Sequence, residues 1–358
     1  MGVATAGRPP PSFPLSLSFL PSSSRREGGV REFSRGVARM DTPFPENVRI
    51  GICSWTDRTL LKSGFYPFCA STPASRLAFY AGCFDVVEVD SSFYVLLDAG
   101  RAFRWIAGTP KDFLFGVKSF AIFTFHRAKY ASLPFWLQKE LGPHGRSDFV
   151  RRGDLSPEQR RRLFEEFVEP VRVLQDSGRL AYLLFQFPPN WRYGRESLAY
   201  IRRLREVCGP LPIALEVRNR SWLEAENVDR FVALLREENI AYVAVDEPRL
   251  GWTVPPEWPF TAEWGTLVRF HGRNEVGWRN PRATVHERFD YEYGPSELEE
   301  WKPRVDSAAK VSKSVYLMYN NCVGDKAVRA ARLMTRILGG TPREAHMGQT
   351  SLGFPVPV

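Results

Sequence analysis

The strongest constraint on the fold is an alternation of short β-rich runs with longer amphipathic stretches. Eight runs rich in Val, Ile, Leu and Phe recur between residues 48 and 320, and helical patterns separate most of them. Strands that alternate with helices favour a parallel sheet covered by those helices. The predicted strands are Val48–Ser54, Val86–Asp90, Phe113–Ser119, Leu180–Phe187, Ile213–Arg218, Ala241–Asp246, Thr266–His271 and Val315–Asn320.

The helical patterns carry boundary signals of their own. Ser156, Pro157 and Gln159 together match an N-terminal capping box with Pro in the first turn. The amphipathic run that follows ends at Gly178, a typical C-terminal stop. Eight β/α repeats over roughly 300 residues predict a (β/α)8 TIM barrel, a fold that typically takes about 250 residues. A doubly wound sheet is the second choice, because no Gly-x-Gly-x-x-Gly turn follows the first strand.

Composition narrows the class of protein. The chain has 358 residues, of which 44% are hydrophobic and 25% charged, as in ordinary globular proteins. Its apolar runs fall short of the roughly 20 residues that span a bilayer, which argues against a membrane protein. Five scattered cysteines offer neither a disulfide framework nor a zinc pattern, so we expect a reducing, cytoplasmic location. The formal charge is +9, but residues 1–39 hold six Arg against two Glu, so the excess does not identify a nucleic-acid partner.

The two ends differ in composition from the rest. Residues 1–45 are rich in Pro, Ser, Gly and Arg without any period, which predicts a disordered extension. A transit segment is one interpretation, but Met40 stands just before the first strand, and we prefer an over-extended start. Residues 339–358 are predicted to form a flexible tail. The expected single barrel domain therefore covers residues 46–338.

Side chains of a strand alternate between its two faces, and this predicts what lies inside the barrel. In the fifth run, Glu216 and Arg218 share one face of the strand, and bulky apolar residues occupy the other. In the seventh run, Arg269 and His271 share a face in the same way. We expect the bulky sets to face the helices and the small or charged sets to face the axis, and in the sixth run this rule places Asp246 inward. The predicted polar ring at the C-terminal mouth is Glu88, Asp90, Lys118, Gln186, Glu216, Arg218, Asp246, Arg269, His271 and Asn320.

The ring has a structural and a functional interpretation. Poorly hydrated charges cost several kcal/mol each by rough estimate unless they are paired, so a salt-bridge network that caps the core is one possibility. So many charged groups exceed what stability requires, since packed apolar residues serve equally well. Barrel enzymes also place their chemistry at this face. We therefore predict a binding or catalytic site at the mouth.

Several ordered segments closely resemble the YecE-like family, also called domain of unknown function 72. They include GICSWTDRTLLKSGFYP, YAGCFDVVEVDSSFY, LLFQFPPNW, EVRNRSW, VDEP, VRFHGR and YLMYNN. The resemblance covers about Val48 to Leu338 and implies a TIM barrel whose activity is not established. Endonuclease IV-like barrels suggest nucleic-acid binding for the family, by analogy alone.

The resemblance also marks residues and departures. Ser54 stands where the family often has Gly, and Asn219 stands where it often has His. Beyond the ring, the matching motif residues are Trp55, Ser91, Phe93, Tyr94, Pro188, Pro189, Ser221, Trp222, Gly272, Arg273 and Asn321.

An anion site is the chemistry that these residues favour. The ends of the seventh and eighth strands form the region where barrels commonly hold phosphate. Predicted ligand-binding residues are Trp55, Asp90, Tyr94, Gln186, Arg218, Trp222, Asp246, Arg269, Gly272, Arg273, Asn320 and Asn321. Candidate catalytic residues for hydrolase or lyase chemistry are Glu88, Glu216, His271 and Lys118. For His271 a core imidazole hydrogen-bonded to Glu216 or Asp246 stays open. For Lys118 an ion pair with Glu88 or Glu216 is preferred to a Schiff-base role.

Other chemistries fit less well. A zinc hydrolase needs several clustered ligands, whereas His271 is the one histidine clearly at the mouth and His126 a possible second. No metal site or cofactor is predicted, although carboxylate-held magnesium stays open. A retaining glycosidase built on Glu88 and Glu216 is disfavoured, because the strand that commonly supplies an acid ends here in Gln186.

The long insertion from Phe120 to Ser156 follows the third strand and interleaves aromatic with basic residues. It suits either a lid over a small substrate or a surface that stacks bases and contacts phosphates. We therefore expect an anionic small molecule as the ligand. The alternative is a non-catalytic nucleic-acid-binding protein.

Overall fold

Eight parallel strands close into a barrel in the computed structural model, which describes residues 43–142 and 148–345. The strands are β1 (Val48–Ile52), β2 (Val86–Val89), β3 (Leu114–Lys118), β4 (Leu180–Gln186), β5 (Ile213–Glu216), β6 (Ala241–Asp246), β7 (Thr266–Phe270) and β8 (Val315–Tyr319). Each strand pairs with the next one along the chain, and β8 pairs back with β1. The predicted (β/α)8 barrel is confirmed.

α-Helices lie between most of the strands along the chain. They are α1 (Arg58–Lys62), α2 (Pro73–Cys83), α3 (Ala99–Ala107), α4 (Phe135–Leu141), α5 (Pro157–Asp176), α6 (Arg195–Cys208), α7 (Ala225–Glu237), α8 (Glu275–Arg279), α9 (Val285–Phe289), α10 (Pro295–Glu299), α11 (Lys302–Val311) and α12 (Lys326–Ile337). The capping box predicted at Ser156 is present, with Gln159 bonding back to the cap. Residues 247–265 link β6 to β7 without a helix. No helix within 43–142 or 148–345 is both long and apolar enough to cross a membrane.

The insertion after β3 contains helix α4 and a small antiparallel ladder. Ala128 and Lys129 pair there with Val150 and Phe149. Residues 143–147, at the tip, lie outside the described residues. The insertion leaves the barrel at the C-terminal end of β3, so it lies on the face that carries the polar side chains.

Side-chain alternation follows the prediction except on β6. Val243 is in register with Leu267, and both pack in the interior cluster, so Asp246 and its register partner Phe270 point outward to the helices. The sequence-based assignment of Asp246 to the inner ring is wrong. The reason is that β6 is apolar on both sides: Tyr242 fills the outer side against α7 and leaves valines for the axis.

A tyrosine of β4, Tyr182, extends inside the barrel over β3 towards β2. Gly116 on β3 makes room for this packing, because a Cβ at that position would overlap the ring of Tyr182. The Tyr182 hydroxyl then donates a hydrogen bond to Glu88 Oε2 at 2.9 Å. A close-packed core therefore supports the polar layer above it.

The two predicted tails lie mostly outside the described residues, which begin at 43 and end at 345. The described parts pack against the barrel. Phe44 lies against Gly340, and Arg343 forms an ion pair with Asp85 at 2.7 Å. Ala345 packs on the last turn of α2. Residues 339–345, which composition assigns to the flexible tail, are thus held by apolar and ionic contacts.

Ser54 has an unusual backbone conformation directly after β1. Its φ is 144°, in the region that glycine tolerates and other residues rarely adopt. Its hydroxyl accepts a hydrogen bond from the Thr56 N–H at 3.1 Å. The departure from the family pattern therefore places a side chain where the backbone favours glycine.

Replacing Ser54 with Gly is expected to raise the thermal stability. The change relieves backbone strain of about 1 kcal/mol, which corresponds to roughly 2 °C in Tm. Differential scanning calorimetry measures the shift. Ser54→Ala is the control, since it loses the hydroxyl and keeps the strain. The explanation fails if the Gly variant melts no higher than the Ala variant.

Candidate functional site

A single arginine joins three strands across the mouth of the barrel. Arg269 on β7 has no exposed surface. Its Nη2 donates to Glu88 Oε1 on β2 at 2.5 Å, and its Nη1 donates to Glu216 Oε2 on β5 at 2.6 Å. Gln186 on β4 accepts a further bond from Nη1 at 3.2 Å. The predicted ring residues from these strands are therefore brought together.

The two carboxylates on Arg269 experience different electrostatic surroundings. Burial alone would raise the pKa of Glu216, but Arg218 and Arg269 lie so close that its pKa is held well below the usual range. At Glu88, burial raises the pKa and Arg269 offsets only part of that effect. The site thus keeps Glu216 ionised and makes Glu88 easier to protonate.

Arg218 connects Glu216 to a third buried carboxyl, Glu247. Arg218 Nη1 donates to Glu247 Oε2 at 3.1 Å, and its Nε donates to Glu216. Glu247 also accepts the Val254 backbone N–H at 3.1 Å. Burial raises the pKa of Glu247 to about 7, although Arg218 opposes the rise. Sequence reasoning missed Glu247; its signal was the second acid of VDEP at the end of a strand.

The inner ring has more acids than bases among its buried members. Three carboxyls, those of Glu88, Glu216 and Glu247, face two guanidiniums, those of Arg218 and Arg269. Two cations cannot neutralise three carboxylates in a medium that solvates charge poorly. One carboxyl therefore favours its protonated form, in agreement with the raised pKa values of Glu88 and Glu247.

His271 is a neutral, fully buried imidazole. Asn320 Nδ2 lies 3.0 Å from its Nδ1, and Arg218 Nη2 and Glu216 Oε1 lie 3.0 and 3.2 Å from its Nε2. Burial and the nearby Arg218 lower the pKa of His271 to about 3. Its contacts are those of the hydrogen-bonded core imidazole that the sequence left open. In the described ranges, no three His, Cys, Asp or Glu side chains are grouped to hold a metal ion.

A second sector of the mouth lies at the ends of β2 and β3. Lys118 Nζ is 3.3 Å from Asp90 Oδ1 and 5.0 Å from the centre of the Phe93 ring. Lys118 is thus ion-paired, but with Asp90 and not with Glu88 or Glu216, the partners expected from the sequence. His126 packs edge-on against Phe93 at 5.0 Å. Burial, followed by the charges of Lys118 and Arg218, lowers the pKa of His126 to about 4.

Several predicted ligand residues instead hold the loop after β7. The outward-facing Asp246 accepts hydrogen bonds from Arg273, from the Tyr293 hydroxyl at 2.9 Å and from Trp301 Nε1 at 2.7 Å.

The start of this loop also needs a glycine. Gly272 has a φ of 87°, and a Cβ there would overlap Tyr291. Asn321 Nδ2 donates to that same tyrosine's carbonyl at 2.9 Å. Asp246, Gly272, Arg273 and Asn321 therefore hold the loop after β7, which lies beside the polar ring of the mouth.

The aromatic candidates divide between core and rim. Trp222 has no exposed surface and donates its indole N–H to the Trp191 carbonyl at 3.0 Å. Trp55 is buried edge-on against Trp105. Trp222 is therefore a core residue. Tyr94 is 62% exposed and is the predicted aromatic residue that faces solvent.

Two arginines contact aromatic rings of the insertion. Arg127 lies 4.0 Å from the centre of the Phe149 ring, and Arg162 of α5 lies 3.9 Å from that of Trp136. These distances are typical of cation–π contacts. Phe135, by contrast, is 80% exposed. Part of the predicted basic and aromatic surface, including Arg127 and Trp136, is thus used in holding the insertion to itself and to α5.

Replacing Arg269 with Met is expected to lower the free energy of unfolding by about 3–5 kcal/mol, because it leaves two buried carboxyls without their cation. Urea denaturation followed by circular dichroism measures the loss. Arg329→Met is the control: Arg329 is half-exposed and paired with Glu292 on the surface, where such pairs contribute about 1 kcal/mol or less. Equal losses in the two variants would contradict the central role of Arg269.

The raised pKa of Glu247 predicts a pH-dependent gain from Glu247→Gln. Between its ordinary value of 4.5 and about 7, the folded protein retains a proton that the unfolded chain has released. The wild-type carboxyl therefore costs stability as the pH rises through this window, by at most about 1.4 kcal/mol per pH unit. Glutamine does not ionise, so the variant's advantage is expected to grow from pH 5 to pH 7 and then level off.

Urea denaturation at pH 5, 6, 7 and 8 measures the difference between variant and wild type, in which the titration of the other groups cancels. Glu263→Gln, at an exposed position, is the control and is expected to show no such trend. A difference for Glu247→Gln that is flat with pH would contradict a proton held by Glu247.

Comparisons with known proteins agree with the fold and the motifs. The family model described as "Protein of unknown function DUF72" matches residues 49–351. UPF0759 protein YunF of Bacillus subtilis (strain 168) is 30% identical over 309 residues, which cover 84% of this chain and 99% of that protein.

Solved structures are similar as well. The crystal structure of a DUF72 family protein of Enterococcus faecalis V583 matches with a TM-score of 0.66 at 26% identity, over 81% of this chain and 95% of the other. A DUF72 family protein of Thermotoga maritima MSB8 matches with a TM-score of 0.63 at 27% identity, over 81% and 98%. The resemblance to the YecE-like family is thereby confirmed, and the chain belongs to the DUF72 family.

Proposed function

We propose that the barrel mouth is the active site of an enzyme that binds an anionic small molecule and transforms it by proton transfer, with hydrolase or lyase chemistry. One observation carries the proposal. Arg218 joins Glu216 and Glu247, two buried carboxyls whose pKa values are shifted in opposite directions. Adjacent acids with separated pKa values are a common arrangement for acid–base catalysis.

The pKa values assign different roles to these groups. Glu247, with a pKa of about 7, can donate and accept a proton near neutral pH, which suits a general acid or base. His271, with a pKa of about 3, is too weak a base and acts as a fixed neutral hydrogen-bonding group. Glu88 and Glu216, enclosed by Arg269, act as positioning residues. The catalytic role predicted for His271 therefore passes to Glu247.

The cations available to an anion are those at the rim. Arg269 has no exposed surface and is paired with Glu88 and Glu216, and Arg273 is paired with Asp246 and Glu300. Lys118 and Arg218 retain side-chain exposures of 14% and 8% and lie at the mouth. Both cations lower the pKa of His126, which supports a positive potential at this point. We assign anion binding to Lys118 and Arg218, assisted by their partly hydrophobic surroundings.

The rival function, nucleic-acid binding without catalysis, has less support. It relies on the insertion, where the Arg127–Phe149 and Arg162–Trp136 contacts already use rings and charges that a nucleic acid would need. The two functions differ in salt dependence. Affinity for a nucleic acid is expected to fall steeply between low and moderate salt, in proportion to the number of phosphates contacted.

The test begins with binding of inorganic phosphate by isothermal titration calorimetry. Lys118→Gln is expected to weaken binding about tenfold, because it removes one of two cations at a partly desolvated position. Lys302→Gln is the matched control, since Lys302 also pairs with an Asp, at 2.9 Å, on the outer helix α11. Equal affinities of the two variants would contradict the rim site.

Turnover is tested with a panel of phosphate monoesters and phosphorylated hydroxy acids, with product detection by mass spectrometry. Glu247→Gln is expected to lower the rate on any accepted substrate about a hundredfold, since glutamine cannot transfer the proton. Glu263→Gln is expected to leave the rate unchanged. Absence of phosphate binding, together with tight and salt-sensitive binding of single-stranded DNA or RNA, would favour the rival function.

A further inference from the structure

Two aromatic side chains lie over the polar residues of the mouth. Trp278 of α8 has its ring centre 5.6 Å from Arg218 Cζ, and Phe289 of α9 has its ring centre 5.5 Å from that of His271. The two rings meet edge to face at 6.1 Å. We call Trp278 and Phe289 the aromatic roof. Both are partly buried, so part of each remains accessible.

The loop that carries the roof is held firmly at its base. Gly272 N donates to the Tyr293 hydroxyl at 2.9 Å, and that hydroxyl donates to Asp246, so both ends of the loop meet at one carboxylate. Asn274 Nδ2 donates to the Glu287 carbonyl at 2.7 Å and ties α8 to α9. The roof is thus a preorganised part of the fold, as a binding wall requires.

Trp278 also presents an unused donor. Its indole N–H is buried and has no acceptor among residues 43–142 and 148–345. A buried donor without an acceptor is costly, and such groups call for an explanation in a folded protein. A polar atom of a ligand lying beside Arg218 would supply the acceptor. The roof therefore offers both an apolar ring face and a hydrogen-bond donor.

We propose that the ligand of the mouth carries a planar aromatic ring next to its anionic group, and that Trp278 is the specificity-determining residue that receives the ring. This inference rests on the proposed function, because the anion is the part bound by Lys118 and Arg218. The face of an aromatic side chain attracts either another ring or a cation. Arg218 already supplies a cation beside Trp278, so we assign a ring to the ligand. Phe93 and the exposed Tyr94 provide further aromatic surface at the opposite sector.

The experiment compares phenyl phosphate, cyclohexyl phosphate and inorganic phosphate by isothermal titration calorimetry with the full chain. The two esters match in charge and approximate size, and only one has a planar π face. We expect phenyl phosphate to bind about two- to tenfold more tightly than cyclohexyl phosphate, the range that aromatic pairing adds beyond burial of area. Inorganic phosphate reports the anion site alone.

Trp278→Ala is expected to bring the ratio of the two ester affinities to about one, with the affinity for inorganic phosphate changed less than about twofold. Trp136→Ala is the matched control. Trp136 is likewise partly buried, contacts an arginine at 3.9 Å and has a buried indole N–H without an acceptor among the described residues, but it belongs to the insertion. It is expected to keep the wild-type ratio. Trp278→Phe, which preserves a ring, is expected to keep part of it.

The outcomes separate this inference from the function on which it rests. Equal binding of the two esters, with phosphate still bound, would overturn the planar-ring ligand and leave the anion site standing. No binding of any of the three probes would overturn the anion site itself. A ratio that survives in both Trp278→Ala and Trp278→Phe unchanged would show that Trp278 does not receive the ring.

Discussion

The arrangement of the mouth depends on one buried cation. A guanidinium with no exposed surface is strongly unfavourable unless both of its edges meet anions in good geometry. Arg269 satisfies this condition with Glu88 on one side and Glu216 on the other, and so couples β7 to β2 and β5. Because Glu216 must then be ionised, it also orients Arg218 and His271. The geometry of the polar layer follows from this pairing.

The surplus of carboxyls in that layer links structure to chemistry. A fully neutralised ring would be a stabilising cap and nothing more. Glu247 departs from that pattern, because it shares Arg218 with Glu216 and is left with a pKa near neutrality. A group of this kind weakens the fold at high pH and can move a proton in a reaction. The feature that costs stability is therefore the one that suggests function.

Much of the fold and part of the site were predictable from sequence. Side chains alternate so regularly along most of the eight strands that this alternation alone predicts the inward placement of Glu88, Lys118, Glu216 and Arg269. The prediction from alternation was wrong at Asp246, because a strand that is apolar on both sides gives no indication of which face is inside. Glu247 was missed through the same error, because it continues the inward series of Val243 and Val245, which the sequence analysis assigned to the helix side.

The sequence by itself determined the barrel, the inward side of most strands and the family, because these depend on local periodicity and on ordered motifs. Only the tertiary structure decided which charges meet. Whether Arg273 serves a ligand or Asp246, and whether Trp222 lines a pocket or the core, depends on side chains brought from distant parts of the chain. Such contacts, and the burial that shifts each pKa, exist only once the barrel has closed, so no short stretch of sequence encodes them.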